Sequence, residues 1–202
     1  EFDCKTGKEH KVIYSNPEVD VSEATYSTNK QKLLYAGFET WKRERHFLDN
    51  EFKELYEHLE RELPNTEIEI TSSDSADRKL IIRTFTDRNP GAYYLFTVAD
   101  KKLSLLSSIN PSLTEDEMCE MKPVSYQTRD GLTIQGYLTL PKGVEPKNLP
   151  VVVLPHGGPS YRNSWGFNSE VQFLANRGYA VFQMNYRGST GYGKSFWSAG
   201  FK

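Results

Sequence analysis

The chain has 202 residues, enough for one large domain or two small ones. Its 25 basic and 27 acidic side chains leave a formal charge of −2, which removes the electrostatic case for a nucleic-acid or membrane-surface partner. Two cysteines, Cys4 and Cys119, are too few for a disulfide framework or a metal cluster, and no apolar run approaches the roughly 20 residues of a membrane span.

Residues 1–8 read as the turn of a hairpin already under way, with neither an initiator Met nor a signal peptide. Both ends are therefore expected to be cut from a longer protein, which leaves the compartment open. Up to about residue 108 the pattern is short strands and turns. Residues 11–14, 32–36 and 45–48 are strand-like. Residues 67–71, 79–86, 92–98 and 103–106 are stronger, because they alternate and are rich in Ile, Val, Tyr and Phe. Asn16-Pro17, Asp74-Ser75, Asn89-Pro90-Gly91 and Asp100-Lys101-Lys102 supply turns between them. Even spacing of this kind suggests a sandwich, barrel or propeller. One helix interrupts the run over residues 50–63, where Phe52, Leu55, Tyr56, Leu59 and Leu63 fall at helical spacing. Asp49 or Asn50 is its N-cap and Pro64-Asn65 its stop. Trp41, Tyr93 and Tyr94 are expected to pack within this β-rich part, and His10, His46 and His58 have no ligand spacing.

Residues 110–121 form a polar, acidic linker in which Ser112-Leu113-Thr114-Glu115 can open a helical turn, and the domain boundary is placed there. Beyond it, residues 123–128 and 132–140 form a hairpin around Arg129-Asp130-Gly131. A Pro-rich loop, 141–150, precedes an apolar strand at 151–154. A helix over 170–177 is closed by Gly178, and a second apolar strand follows at 180–184. The order β-β-β-α-β, with its last strands apolar on both faces, is the opening of an α/β sheet. The fold class is mixed α and β.

Two segments carry chemistry. His156-Gly157-Gly158-Pro159 follows the first apolar strand directly. Two glycines there allow backbone conformations closed to other residues and let a ligand approach closely. Their N–H groups can then be aimed into a site at the carboxyl end of the sheet, as in the loop that supplies an oxyanion-hole donor in α/β hydrolases. Gly188-Ser189-Thr190-Gly191-Tyr192-Gly193-Lys194-Ser195 meanwhile satisfies the phosphate-loop pattern G-x-x-x-x-G-K-[ST]. Four strand candidates of the α/β part precede it, whereas a phosphate loop usually follows a domain's first strand. A nucleotide-binding module at Gly188–Ser195 remains an alternative, and so does a non-catalytic β-rich interaction module.

Taken together, the runs V-V-V-L-P-H-G-G-P from Val151, Q-F-L-A-N-R-G-Y-A-V from Gln172 and N-Y-R-G-S-T-G-Y-G from Asn185 resemble the prolyl oligopeptidase family of serine peptidases, and its acylaminoacyl- and dipeptidyl-peptidase-like members above all. The likeness is good from about Met121 onward and looser before it. It implies that residues 1–109 are the C-terminal part of a β-propeller with one inserted helix, 110–121 a linker, and 122–202 the incomplete opening of an α/β-hydrolase domain. It implies a peptide substrate, hydrolysis through a Ser-Asp-His triad, and no cofactor or metal. By match to the family's loop, Gly158 carries the candidate oxyanion N–H and Gly157 shapes the turn. His156, Pro159 and Arg187 are site-shaping, with His156 not the triad base and Arg187 bracing its loop through a carboxylate or carbonyls. No G-x-S-x-G occurs in the sequence, so nucleophile, acid and base are expected beyond residue 202 and this chain alone is expected to be inactive. Open sheet edges are expected to invite self-association.

Overall fold

The computed structural model describes residues 1–158 and 160–201, and within them the strands fall into three sheets. β1 (Val21–Ser27), β2 (Lys32–Glu39) and β3 (Arg43–Phe47) form an antiparallel meander. A helix, α1 (Asn50–Glu62), leads into a second meander of β4 (Glu67–Ser73), β5 (Lys79–Phe85), β6 (Ala92–Thr97) and β7 (Lys102–Ser108). After a single 3-10 turn, Glu115–Glu117, come β8 (Met121–Gln127), β9 (Thr133–Thr139), β10 (Val151–Val153), α2 (Ser169–Ala175), β11 (Ala180–Asn185) and a short α3 (Gly193–Ser198). The third sheet runs β10-β11-β9-β8, with β10 and β11 parallel across α2 and the other pairs antiparallel. The mixed class holds, and most of the pairing is antiparallel. No helix among the described residues is long and apolar enough to cross a membrane.

The helix α1 forms where its capping chemistry allows. The Asp49 carboxylate accepts from the Phe52 N–H at 2.9 Å and also pairs with Lys32. Asn65 then turns the chain at φ +61°. The apolar stripe of α1, Tyr56 and Leu59 with Leu63 beyond its end, buries against Ile68, Leu80, Ile82 and Phe96. Each such side chain contributes about 1.5–3 kcal/mol of transfer free energy. A smaller core under the third sheet joins Val171, Ala175, Val181 and Cys119.

Several expectations fail for identifiable reasons. Residues 11–14 are not a strand: Val12 and Ile13 have strand propensity but no partner, and both side chains stand in solvent. The missed β1 reads V-S-E-A-T-Y-S and shows no apolar alternation, because backbone pairing to β2 rather than burial holds it. Tyr94 packs on the first core, but Tyr93 points to the opposite face of the strand and is 37% exposed. Trp41 is half-buried with its ring edge-on to Tyr137. The apolar β10, the edge strand of its sheet, is not buried on both faces: Val151 and Val153 share one face and are exposed.

The sheets are joined by buried polar groups. The Gln172 amide donates to the carbonyls of Asp87 and Cys119, and its oxygen accepts from the Cys119 N–H at 2.8 Å. The Asp87 carboxylate accepts from Met121 N–H at 2.7 Å, and Tyr137 donates its hydroxyl proton to the Trp41 carbonyl at 2.9 Å. Residues 110–121, although polar, are thus pinned at their C-terminal end.

Candidate active site

The loop after β10 starts at His156, whose ring is buried while Gly157 and Gly158 are exposed. Gly158 has φ +146°, a region open to glycine, and a Cβ there would lie 2.9 Å from the Ser160 nitrogen. A Cβ on Gly157 would meet nothing within 4 Å. Among the described residues, no backbone oxygen accepts from either glycine N–H. Pro159 lies outside the described residues.

His156 is held from three sides. Its ring stacks on Tyr186 at 4.3 Å between centroids, and the Tyr186 hydroxyl donates to the His156 carbonyl at 3.0 Å. Nδ1 faces the Gly157 carbonyl at 2.8 Å, and Nε2 lies 2.7 Å from the Ser189 hydroxyl oxygen. A carbonyl can only accept, so Nδ1 carries a proton. The Ser189 hydroxyl donates to the Tyr186 carbonyl at 2.6 Å, and the same oxygen lies against Nε2. Both ring nitrogens thus face partners inside the protein. The His-Ser contact invites a nucleophilic reading, which burial overturns: Ser189 is 0% exposed, and no peptide carbonyl can reach it.

The second loop, residues 186–193, is built against the first. Asn185, fully buried, accepts from the Asn163 N–H at 2.7 Å and donates to the Asn163 carbonyl and the Tyr192 hydroxyl. The Thr190 N–H donates to the Tyr161 carbonyl at 3.0 Å. Arg187 reaches the β8–β9 turn, where one guanidinium nitrogen contacts both oxygens of Asp130 at 2.8 Å. Hydrogen bonds from Thr128 first, and then Arg187, hold the Asp130 carboxyl below the usual carboxylate range. Arg187 therefore braces a hairpin turn from an exposed position.

This loop is not built to hold phosphate. A phosphate loop needs free backbone N–H groups. Here Gly188 N–H donates to the Phe196 carbonyl, Ser189 N–H to the Tyr186 carbonyl, Thr190 N–H to Tyr161 and Gly193 N–H to the Asp20 carboxylate. The helix that follows is only six residues long.

Arg162 is the residue sequence reasoning missed. Its guanidinium donates to the carbonyls of Glu39 and Thr40 at 3.1 Å each and to the Tyr192 hydroxyl at 2.9 Å, and it lies over the Tyr192 ring. Burial pushes the Tyr192 phenol up, against the opposing pull of this cation, so it stays a neutral partner. Its partners at Glu39 and Thr40 stand 123 and 122 residues away, and no local pattern marks it. The phosphate-loop-like glycines were the available signal, since a Cβ at Gly191 would fall 2.5 Å from the Arg162 Nη1.

Comparison with known proteins shows what the chain resembles. Residues 165–202 match the Prolyl oligopeptidase family. Dipeptidyl aminopeptidase BIII of Pseudoxanthomonas mexicana is 36% identical over 141 residues, 66% of this chain and 20% of that protein. Dipeptidyl peptidase family member 6 of Caenorhabditis elegans is 28% identical over 222 residues, 98% of this chain and 30% of that protein. The chain thus spans a minor part of the length of these relatives. A solved prolyl endopeptidase structure superimposes with a TM-score of 0.70 at 15% identity, over 98% of this chain and 29% of that one, a likeness of fold alone. The family match over residues 165–202 and these relatives point the same way: the chain is similar to members of the prolyl oligopeptidase family.

Proposed function

We propose that this chain is part of a serine peptidase that hydrolyses short peptides by acyl transfer, and that residues 156–158 are one wall of its oxyanion hole. The observation that carries the reading is the exposed Gly158 at φ +146°, following a buried and fully engaged His156. An N–H held in such a loop stabilises the developing oxyanion of a tetrahedral intermediate. Removing one donor of this kind costs about 2.7–4 kcal/mol of transition-state stabilisation. Gly157, which meets no neighbour, lets the chain turn away from β10. His156 positions the loop and is not the triad base. On this reading the nucleophile, acid and base come from chain beyond residue 202, in the order Ser, Asp, His that α/β hydrolases follow, and the second oxyanion donor follows the serine.

The same reading takes residues 1–109 as the end of a β-propeller, 110–121 as linker and 122–202 as the start of the hydrolase domain. Support comes from the two consecutive antiparallel meanders ahead of a sheet that turns parallel only at β10 and β11. The edge position of β10, with Val151 and Val153 exposed on one face, supports self-association of the 202-residue chain.

The test uses a fluorophosphonate probe and amino-acyl or acyl-peptide chromogenic substrates. The full-length protein is expected to be labelled and to turn over substrate, and the 202-residue chain to do neither. Labelling of this chain at Ser189 would overturn the proposal, as would a full-length protein that no serine-directed probe labels.

A further inference from the structure

We propose that Arg162 is a positioning residue that makes the geometry of the Gly157–Gly158 loop conditional on docking of the β2–β3 turn. The inference rests on the oxyanion reading of that loop for its catalytic consequence, but its structural content stands alone.

Three contacts define the device. First, the guanidinium of Arg162 grips the turn after β2 by two consecutive carbonyls, Glu39 and Thr40, with separate nitrogens. Such a fork demands one orientation of the turn, and a lysine cannot reproduce it. Second, the Glu39 carboxylate lies 3.5 Å away, with both side chains of the pair almost out of solvent. Its Oε2 accepts from Ser164, and its Oε1 has no hydrogen-bond partner among the described residues. The Arg162 charge is what offsets the burial of that oxygen, and each ion would be stranded without the other. Third, Arg162 stands four residues after Gly158, and the residues on either side of it are fastened to the opposite loop. Thr190 N–H donates to the Tyr161 carbonyl and Asn163 N–H to the Asn185 side chain.

The consequence is mechanical. When the β2–β3 turn moves off, the guanidinium loses two acceptors and its counter-ion while still pressed on Tyr192. It must then swing toward solvent, which empties the space that Gly191 leaves for it. The Tyr192 hydroxyl keeps only Asn185, and the 157–163 segment loses its link to the first sheet. The loop is therefore ordered when the sheets are docked and loosened when they part.

Backbone hydrogen exchange on the 202-residue chain tests this directly. Arg162→Met is expected to speed exchange by about tenfold at the hydrogen-bonded amides of Asn163, Gly188, Ser189, Thr190 and Gly193, as loss of charge-assisted hydrogen bonds does, with β4 to β7 unchanged. Arg162→Lys is expected to stay loosened, since it keeps the charge and loses the fork. Unchanged exchange at Asn163 and Thr190, or an equal rise in every strand, overturns the proposal. If Arg162→Met does not fold, Glu39→Gln decides: it keeps both carbonyl acceptors and is expected to give a smaller rise confined to the same residues, and no rise overturns it. In the full-length protein Arg162→Met is expected to lower kcat with KM nearly unchanged, whereas a loss carried only by KM would overturn the positioning role. A wild-type protein that no fluorophosphonate labels would sink the peptidase reading, while the exchange data would still decide the Arg162 coupling.

Discussion

His156 Nε2 and Ser189 Oγ meet at 2.7 Å although 33 residues separate them. The contact ties the loop after β10 to the loop after β11, so the two short motifs that stand out in the sequence are two halves of one support. Replacing Ser189 by Ala leaves the buried ring nitrogen without a partner. The expected cost is about 1–3 kcal/mol of folding stability, the penalty for orphaning a buried polar group. Urea denaturation measures it, and a Ser189→Ala chain as stable as wild type would show the contact to be incidental.

The two glycines beside His156 are expected to respond differently to the same change. Gly158→Ala forces a Cβ onto the Ser160 nitrogen at φ +146°, and a strained backbone of this kind costs about 1–3 kcal/mol. Gly157→Ala places its methyl in open space and is expected to stay within about 0.5 kcal/mol of wild type. Thermal denaturation of the two variants side by side distinguishes them, and equal melting temperatures would refute the asymmetry.

What the sequence made legible follows from how each element is held. The helix α1 and strands β4 to β6 are stabilised by apolar side chains at regular spacing, so periodicity finds them. The β8–β9 hairpin announces itself through Arg129-Asp130-Gly131, and Gly131 does take φ +83°. β1 is held by backbone pairing and leaves no apolar pattern to read. The short α3 hides behind three glycines that a motif search assigns to a phosphate loop. His156, Gly157, Gly158 and Arg187 could be singled out because they belong to contiguous strings. Arg162 could not, because its meaning lies in carbonyls contributed from another sheet.

That assignment of the glycines gives a direct negative prediction. Backbone N–H groups at Gly188, Ser189, Thr190 and Gly193 are already donated within the protein. Millimolar ATP or GTP with magnesium is therefore expected to leave the melting temperature of the chain unmoved, and Lys194→Ala to make no difference. A saturable rise, which ligand binding to the native state must produce, would reinstate the nucleotide reading.

Glu67 gives the chain a pH dependence of defined sign. It opens β4 half-buried, and burial pushes its carboxyl above the usual range against the pull of Lys42, Arg45 and Arg43. A folded-state pKa above the unfolded one means the native chain holds this proton more tightly. Its contribution to stability is thus fully present below the ordinary carboxylate range and is lost as pH rises through the folded value. At neutral pH the wild-type chain carries a partly desolvated charge that Glu67→Gln removes. The variant is expected to have the higher denaturant midpoint at pH 7, and the gap is expected to close toward about pH 4, where the wild-type carboxyl is protonated. Midpoints taken at pH 4, 5 and 7 give the test. A gap of the same size at every pH, or a wild type more stable at pH 7, would mean that the three cations outweigh burial at this position.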